Sequence, residues 1–150
     1  MSSFRLHRPG IALALLLLLL AGCRSQPMLT PSPIHSPLGT EQNRLAILRG
    51  MMVRDWNVVS ESPGRITARQ DKNDVGRHVV TMDIEYDEQT ILLRYRSSQG
   101  MLCEPAGDSC ASIHRIYNRW IAQLAKDIEM GAQMTRLESP GAPPVGAGSD

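Results

Sequence analysis

No run of apolar residues in this sequence reaches the roughly 20 that a membrane-spanning helix requires. The longest, Ile11 to Gly22, is about a dozen residues. At about 1.5 Å per residue it covers roughly 18 Å of a hydrocarbon core roughly 30 Å thick. Basic runs are missing too: 16 Lys and Arg are scattered among 15 Asp and Glu, which removes the electrostatic footprint of a nucleic-acid binder. There is no Gly-rich phosphate loop, so nucleotide and other cofactors have no support. There is no G-x-S-x-G turn to present a nucleophilic serine. His35, His78 and His114 include no i, i+4 pair of the kind that grips a metal from one helix face, so no metal site is expected. No internal repeat is visible.

What the chain does have begins at its start. "MSSFRLHRPG" carries Arg5 and Arg8 and no acid, and the short apolar block follows. The length suits a signal peptide's h-region of about 7–15 residues. The block ends in Leu20, Ala21, Gly22 and Cys23, which closely resemble the bacterial lipobox: an aliphatic residue, two small residues, then cysteine. The resemblance implies removal of residues 1–22 and lipidation of Cys23 by diacylglycerol and palmitate-type acyl chains. Each buried methylene contributes about 0.8 kcal/mol, so two or three chains give stable attachment. Arg24, where an Asp would act as an inner-membrane retention signal, leans toward the outer membrane, with the protein facing the periplasm.

Processing would leave Cys23 to Asp150, about 128 residues, enough for one small domain. Losing Arg5 and Arg8 takes the 16 basic residues to 14 against 15 acidic, a formal charge near −1. Of three cysteines, Cys23 is assigned to lipid. Cys103 and Cys110 then bracket "CEPAGDSC", in which Pro105 and Gly107 can turn the chain back. In an oxidising periplasm a disulfide is the expected state. Glu104 and Asp108 beside the thiols disfavour the thiolate a redox site would need, and two cysteines are too few for structural zinc.

Composition divides the remainder. Residues 23–39, with Pro27, Pro31, Pro33 and Pro37, read as a Pro-rich tether reaching about 50 Å if extended at about 3.1 Å per residue. Residues 134–150, ending "SPGAPPVGAGSD", read as a disordered tail. Between them, 40–133 reads as an α+β domain. Thr40 is a candidate cap for a first helix with Leu45, Leu48 and Met52 at helical spacing, widened by Ile47 and Met51 and weakened by Gly50. Period-two segments follow. Trp56, Val58 and Ser60 share one face; Ile66 and Ala68 oppose Arg65, Thr67 and Arg69. Val80, Met82, Ile84 and Tyr86 oppose Thr81, Asp83 and Glu85, and Ile91, Leu93 and Tyr95 oppose Arg94 and Arg96. Turns lie at Pro63-Gly64, "DKNDVG" and Asp87-Glu88-Gln89. A last helix carries Ile113, Tyr117, Trp120, Ile121, Leu124 and Ile128 as a broad stripe, with Ser112 as cap and Gly131 as stop. The order α-β-β-β-β-α implies a four-stranded antiparallel meander with both helices on one face and the other face wet.

The strongest candidate surface is His114, Arg115 and Asn118 on that last helix, with Ser98 at the end of the fourth strand, beside the cysteine loop. Read as a partner-binding patch, it would meet an envelope protein or glycan. The alternative is a small envelope hydrolase or cell-wall-modifying enzyme using His114 as base. The wet face, with Asp83, Glu85, Arg94 and Arg96 paired across strands and Arg65 and Arg69 beside them, is a second surface. Its ion pairs each contribute only tenths of a kcal/mol. Methionines at 51, 52 and 82 read as core filler.

"ESPGRITAR", "IEYDEQTILLRYRSS" and "IHRIYNRWIAQLAKDI" resemble a group of small bacterial lipoproteins without an assigned activity. The resemblance covers about ninety residues and implies a lipid-anchored α+β domain, but transfers no catalytic residue. A looser analogy of fold runs to the helix-on-sheet domains in lipoproteins of the outer-membrane β-barrel assembly machine, and fold does not set function. The sequence thus points to a membrane-anchored, non-enzymatic module of the envelope.

Overall fold

Period-two patterning builds the sheet, and one strongly amphipathic helix covers it. The computed structural model describes residues 25–72 and 78–138. The signal segment 1–22, Cys23 and the tail from 139 lie outside the described residues, as do residues 73–77 of the "DKNDVG" turn.

Strands β1 (Ser25–Pro27) and β2 (Ile34–His35) precede helix α1 (Thr40–Met52). Then come β3 (Asn57–Ser62), β4 (Arg65–Lys72), β5 (His78–Tyr86) and β6 (Thr90–Gln99). A hairpin of β7 (Glu104–Ala106) and β8 (Ser109–His114) leads into helix α2 (Arg115–Glu138). The protein is α+β, as expected. The expected four-stranded meander is β3 to β6, extended by β2 into a five-stranded antiparallel sheet of order β2-β6-β5-β4-β3. A second sheet, β1-β8-β7, is also antiparallel.

Alternation places Ile66, Ala68, Val80, Met82, Ile84, Ile91 and Leu93 under the helices, all buried. Tyr117, Ile121, Leu124 and Ile128 of α2 close over them. The Tyr117 ring stands edge-on to Tyr95 at 5.8 Å, and its hydroxyl donates to Met82 Sδ at 3.8 Å. Burial pushes the Tyr117 phenol well above its ordinary range, with Tyr95 adding to the effect. Two glycine-marked turns join the strands: Gly64 at φ 75° follows β3, and Gly107 at φ 59° sits between β7 and β8. Asp87 closes the β5–β6 turn by accepting from the Gln89 and Thr90 amides.

Several expectations shift. The stretch from residue 23 to 39 was expected as a free tether, yet from Ser25 onward it lies on the domain. Ser25, Gln26 and Pro27 pair with His114, Ile113 and Ser112, and Ile34 pairs with Ile91 and is buried. Proline does not prevent this, because Pro27 is the last residue of β1, an edge strand paired only with β8, and Pro31, Pro33 and Pro37 lie outside the strands. The last helix starts at Arg115 rather than just after a Ser112 cap, since residues 109–114 are drawn into β8, and it runs to Glu138, past the expected stop at Gly131 and into the start of the expected tail. Trp56 is buried, but every residue of β3 is exposed, with a bulge between Val58 and Ser60. No apolar side chain of β3 is buried; α1 meets that edge through the Arg44–Glu61 ion pair.

In α1 the buried positions are Asn43, Ala46, Ile47, Gly50 and Met51, while Met52 is exposed. The stripe is rotated from the one expected because α2 crosses here. No room exists for a side chain at Gly50, whose Cβ would lie 2.6 Å from Ile128 N, or at Gly131, whose Cβ would lie 2.5 Å from Ala46 O. Asn43 repays its burial by donating to the Ser36 and Asp87 carbonyls at 2.8 Å each, tying α1 to the N-terminal segment and the β5–β6 turn. No helix among the described residues is long and apolar enough to cross a membrane.

Candidate functional site

His114 ends β8, and Arg115 opens α2. The junction is abrupt: the His114 amide donates to Met101 O at 2.7 Å, and Ile116 N donates to His114 Nδ1 at 3.2 Å. A histidine side chain thereby caps the helix in place of the Ser112 hydroxyl, which donates to Glu104 in the hairpin instead. The first turn of α2 holds no acidic residue to oppose its positive dipole end.

Asn118, one turn along, is not a free ligand. Its side-chain oxygen accepts from Leu29 N and its amide donates to Pro27 O, both at 2.9 Å. This pair fastens the N-terminal segment to α2. Ser98 does not join the group. Its hydroxyl bonds to Tyr95 Oη at 2.9 Å, on the side of the sheet where Tyr95 approaches Cys103. Cys103 and Cys110 form the disulfide, with Cα atoms 5.4 Å apart, stapling the β7–β8 hairpin that leads into His114.

What collects around His114 is an open cavity of about 450 Å³ lined by Gln26, His114, Arg115, Ile116, Asn118 and Arg119. A second imidazole, His78, lies with its centroid 5.3 Å from that of His114. The lining includes no serine and no carboxylate, so no nucleophile–base pair is assembled in it. Arg119 was not singled out by sequence, although its i, i+4 relation to Arg115 places both on one helix face. Gln26 and His78 carried no local signal. They arrive through strand pairing.

Arg115 and Arg119 are exposed, and among the described residues neither takes part in an ion pair. The wet sheet face is different. Arg65 and Arg94 both grip Glu85, at 2.8 and 2.7 Å, and Arg96 pairs with Asp83 at 3.1 Å. Thr67 donates to Asp83 at 2.7 Å, and Arg69 pairs with Asp71. Asp83 is drawn upward by partial burial, but Thr67 and Arg96 outweigh this and hold its carboxyl below the ordinary range. The Arg94 hydrogen bond, aided by Arg65, holds Glu85 down against partial desolvation. This face satisfies its own charges; the α2 entrance does not.

Among the described residues no group of three or more His, Cys, Asp or Glu is close enough to hold a metal ion. No protein-family model matches the chain, and no curated protein sequence is similar enough to match it.

Proposed function

We propose that this chain is an exported lipoprotein, acylated at Cys23 and held in the bacterial outer membrane facing the periplasm. Its domain serves as a non-enzymatic binding module, and its working face is the α2 entrance around His114 and Arg115. The observation that carries the reading is the Cys103–Cys110 disulfide. It consumes the two domain cysteines in a bond suited to an oxidising compartment and leaves Cys23, the lipobox residue, for lipid. The tight seating of the chain from Ser25 supports an anchor immediately before the fold. The cavity beside His114, lined by cations and amides, supports binding over hydrolysis.

Intact-mass analysis of the protein recovered from bacterial membranes tests this. The expected species begins at Cys23, carries two or three acyl chains and contains no free thiol. Recovery of an unprocessed, soluble chain with all three cysteines reduced would overturn it.

A further inference from the structure

Resting on that lipoprotein reading, we propose that the Arg115–Arg119 face is a docking surface for anionic phospholipid headgroups, held onto the bilayer by the lipid on Cys23. One residue separates Cys23 from Ser25 in the sequence. With consecutive Cα atoms 3.80 Å apart, the Cα of the lipidated cysteine lies within about 7.6 Å of that of Ser25. Ser25 stands opposite His114 in the β1–β8 register, and Asn118 grips Pro27 and Leu29 just beyond. The anchor is therefore fastened to one corner of the domain. A glycerol thioether sits at headgroup depth, so this corner is set down at the headgroup layer.

The chemistry of the corner matches what it meets there. Arg115 and Arg119 project from the first turns of α2 with no ion pair among the described residues, and the cavity they flank is lined also by Gln26, His114, Asn118 and the single apolar Ile116. Guanidinium groups bind phosphate oxygens through paired hydrogen bonds. The unopposed helix end adds potential of the same sign. Elsewhere the arginines of the sheet face and of α1 are committed to carboxylates. Lys126 and Arg136, also without an ion pair among the described residues, lie farther along α2, whereas Arg115 and Arg119 stand at the end where the chain enters from its anchor.

The test uses the processed, acylated protein from bacterial membranes, reconstituted into vesicles of phosphatidylcholine alone or mixed with phosphatidylglycerol. Arginines are labelled with a water-soluble dicarbonyl and read by peptide mass spectrometry. Labelling of Arg115 and Arg119 should fall about fivefold in the anionic vesicles, the factor equivalent to about 1 kcal/mol per basic residue at such a surface. Arg94 and Arg136 should be unchanged, and high salt should abolish the difference. In the Arg115→Gln/Arg119→Gln variant, amide exchange of residues 25–29 should no longer respond to phosphatidylglycerol. Equal labelling of Arg115 and Arg119 in both vesicles, with the acyl mass present on Cys23, would overturn the docking and leave the lipoprotein reading standing. An unacylated Cys23 would overturn both. Protection in detergent that rises with protein concentration would assign the face to a second copy, and protection only on adding envelope protein or glycan would assign it to that partner; either overturns the lipid assignment.

Discussion

The missing side chain of Gly50 leaves the space that Ile128 occupies: a Cβ there would lie 2.6 Å from the Ile128 backbone nitrogen. Gly131 makes the reciprocal approach to Ala46 O, and Thr135 beside it donates to Gly131 O at 2.9 Å while accepting from Arg49 at 3.0 Å. Two helices thus meet backbone to backbone.

Gly50→Ala and Gly131→Ala should each destabilise the domain. Alanine's better helix propensity returns up to about 1 kcal/mol, but the added methyl meets backbone rather than a yielding side chain. Overpacking of this kind costs about 1–3 kcal/mol, and rigid neighbours place both sites at the upper end. Urea titrations should show a lower midpoint with unchanged slope. A gain in stability at either position would show that the helices separate more readily than this packing allows.

Asn118→Ala should release the N-terminal segment. The substitution leaves Leu29 N and Pro27 O without their partner, at a cost of about 1–3 kcal/mol confined to that segment. Hydrogen exchange at Leu29 should accelerate, whereas amides of β5 should keep their protection. Asn118→Asp separates the two contacts, because a carboxylate can still accept from Leu29 N but cannot donate to Pro27 O. Intermediate protection is expected for it.

Asn118 also marks where sequence and structure part. Its place on a helix beside His114 and Arg115 invites a ligand-binding reading, and its true partners lie 89 and 91 residues away. The buried positions of α2 were legible because the sheet beneath decides one continuous stripe. Strands β4 to β6 were legible because one face is core and the other water. Ile113 satisfied both periods, lying four residues before Tyr117 and also on the inner face of β8, so local pattern could not say where strand became helix. Residues 25–39 were illegible for a different reason: their pairing is supplied by β6 and β8, far along the chain, against a composition that favours isolated extension. At the site, Arg115 and Arg119 share a face by spacing alone, whereas Gln26 and His78 reach it only through tertiary pairing.

Opening the disulfide should loosen the hairpin more than the sheet. Cys103 and Cys110 are seven residues apart, and the chain-entropy treatment gives about 2.5 kcal/mol for so short a loop. The Cys103→Ala/Cys110→Ala variant should lose about that much global stability. Exchange should rise first in β7 and β8, and through β8 in β1, while β4 and β5 remain protected. Loss of protection across the five-stranded sheet at the same rate would mean that the hairpin and the sheet unfold as one unit.

Stability should fall in acid through Asp83 and Glu85. Both carboxyls are depressed from ordinary values of 3.8 and 4.5, in the one case by Thr67 and Arg96 against the opposing effect of burial, in the other chiefly by Arg94. A depressed folded-state value means that the unfolded chain binds protons first. The contribution is therefore complete above the ordinary carboxylate range and is lost as pH falls through the lower folded values. Urea unfolding from neutral pH to about pH 3 should show stability declining below the ordinary range, with a steeper decline for the parent than for Asp83→Asn/Glu85→Gln. The variant should be the less stable at neutral pH and should converge on the parent in acid. Thr67→Val, which removes a donor to Asp83 without touching a charge, should shift the acid limb of Asp83 upward in pH and leave the Glu85 component where it is. Parallel pH curves for parent and double variant would show that these ion pairs lend the folded sheet no proton-linked stability.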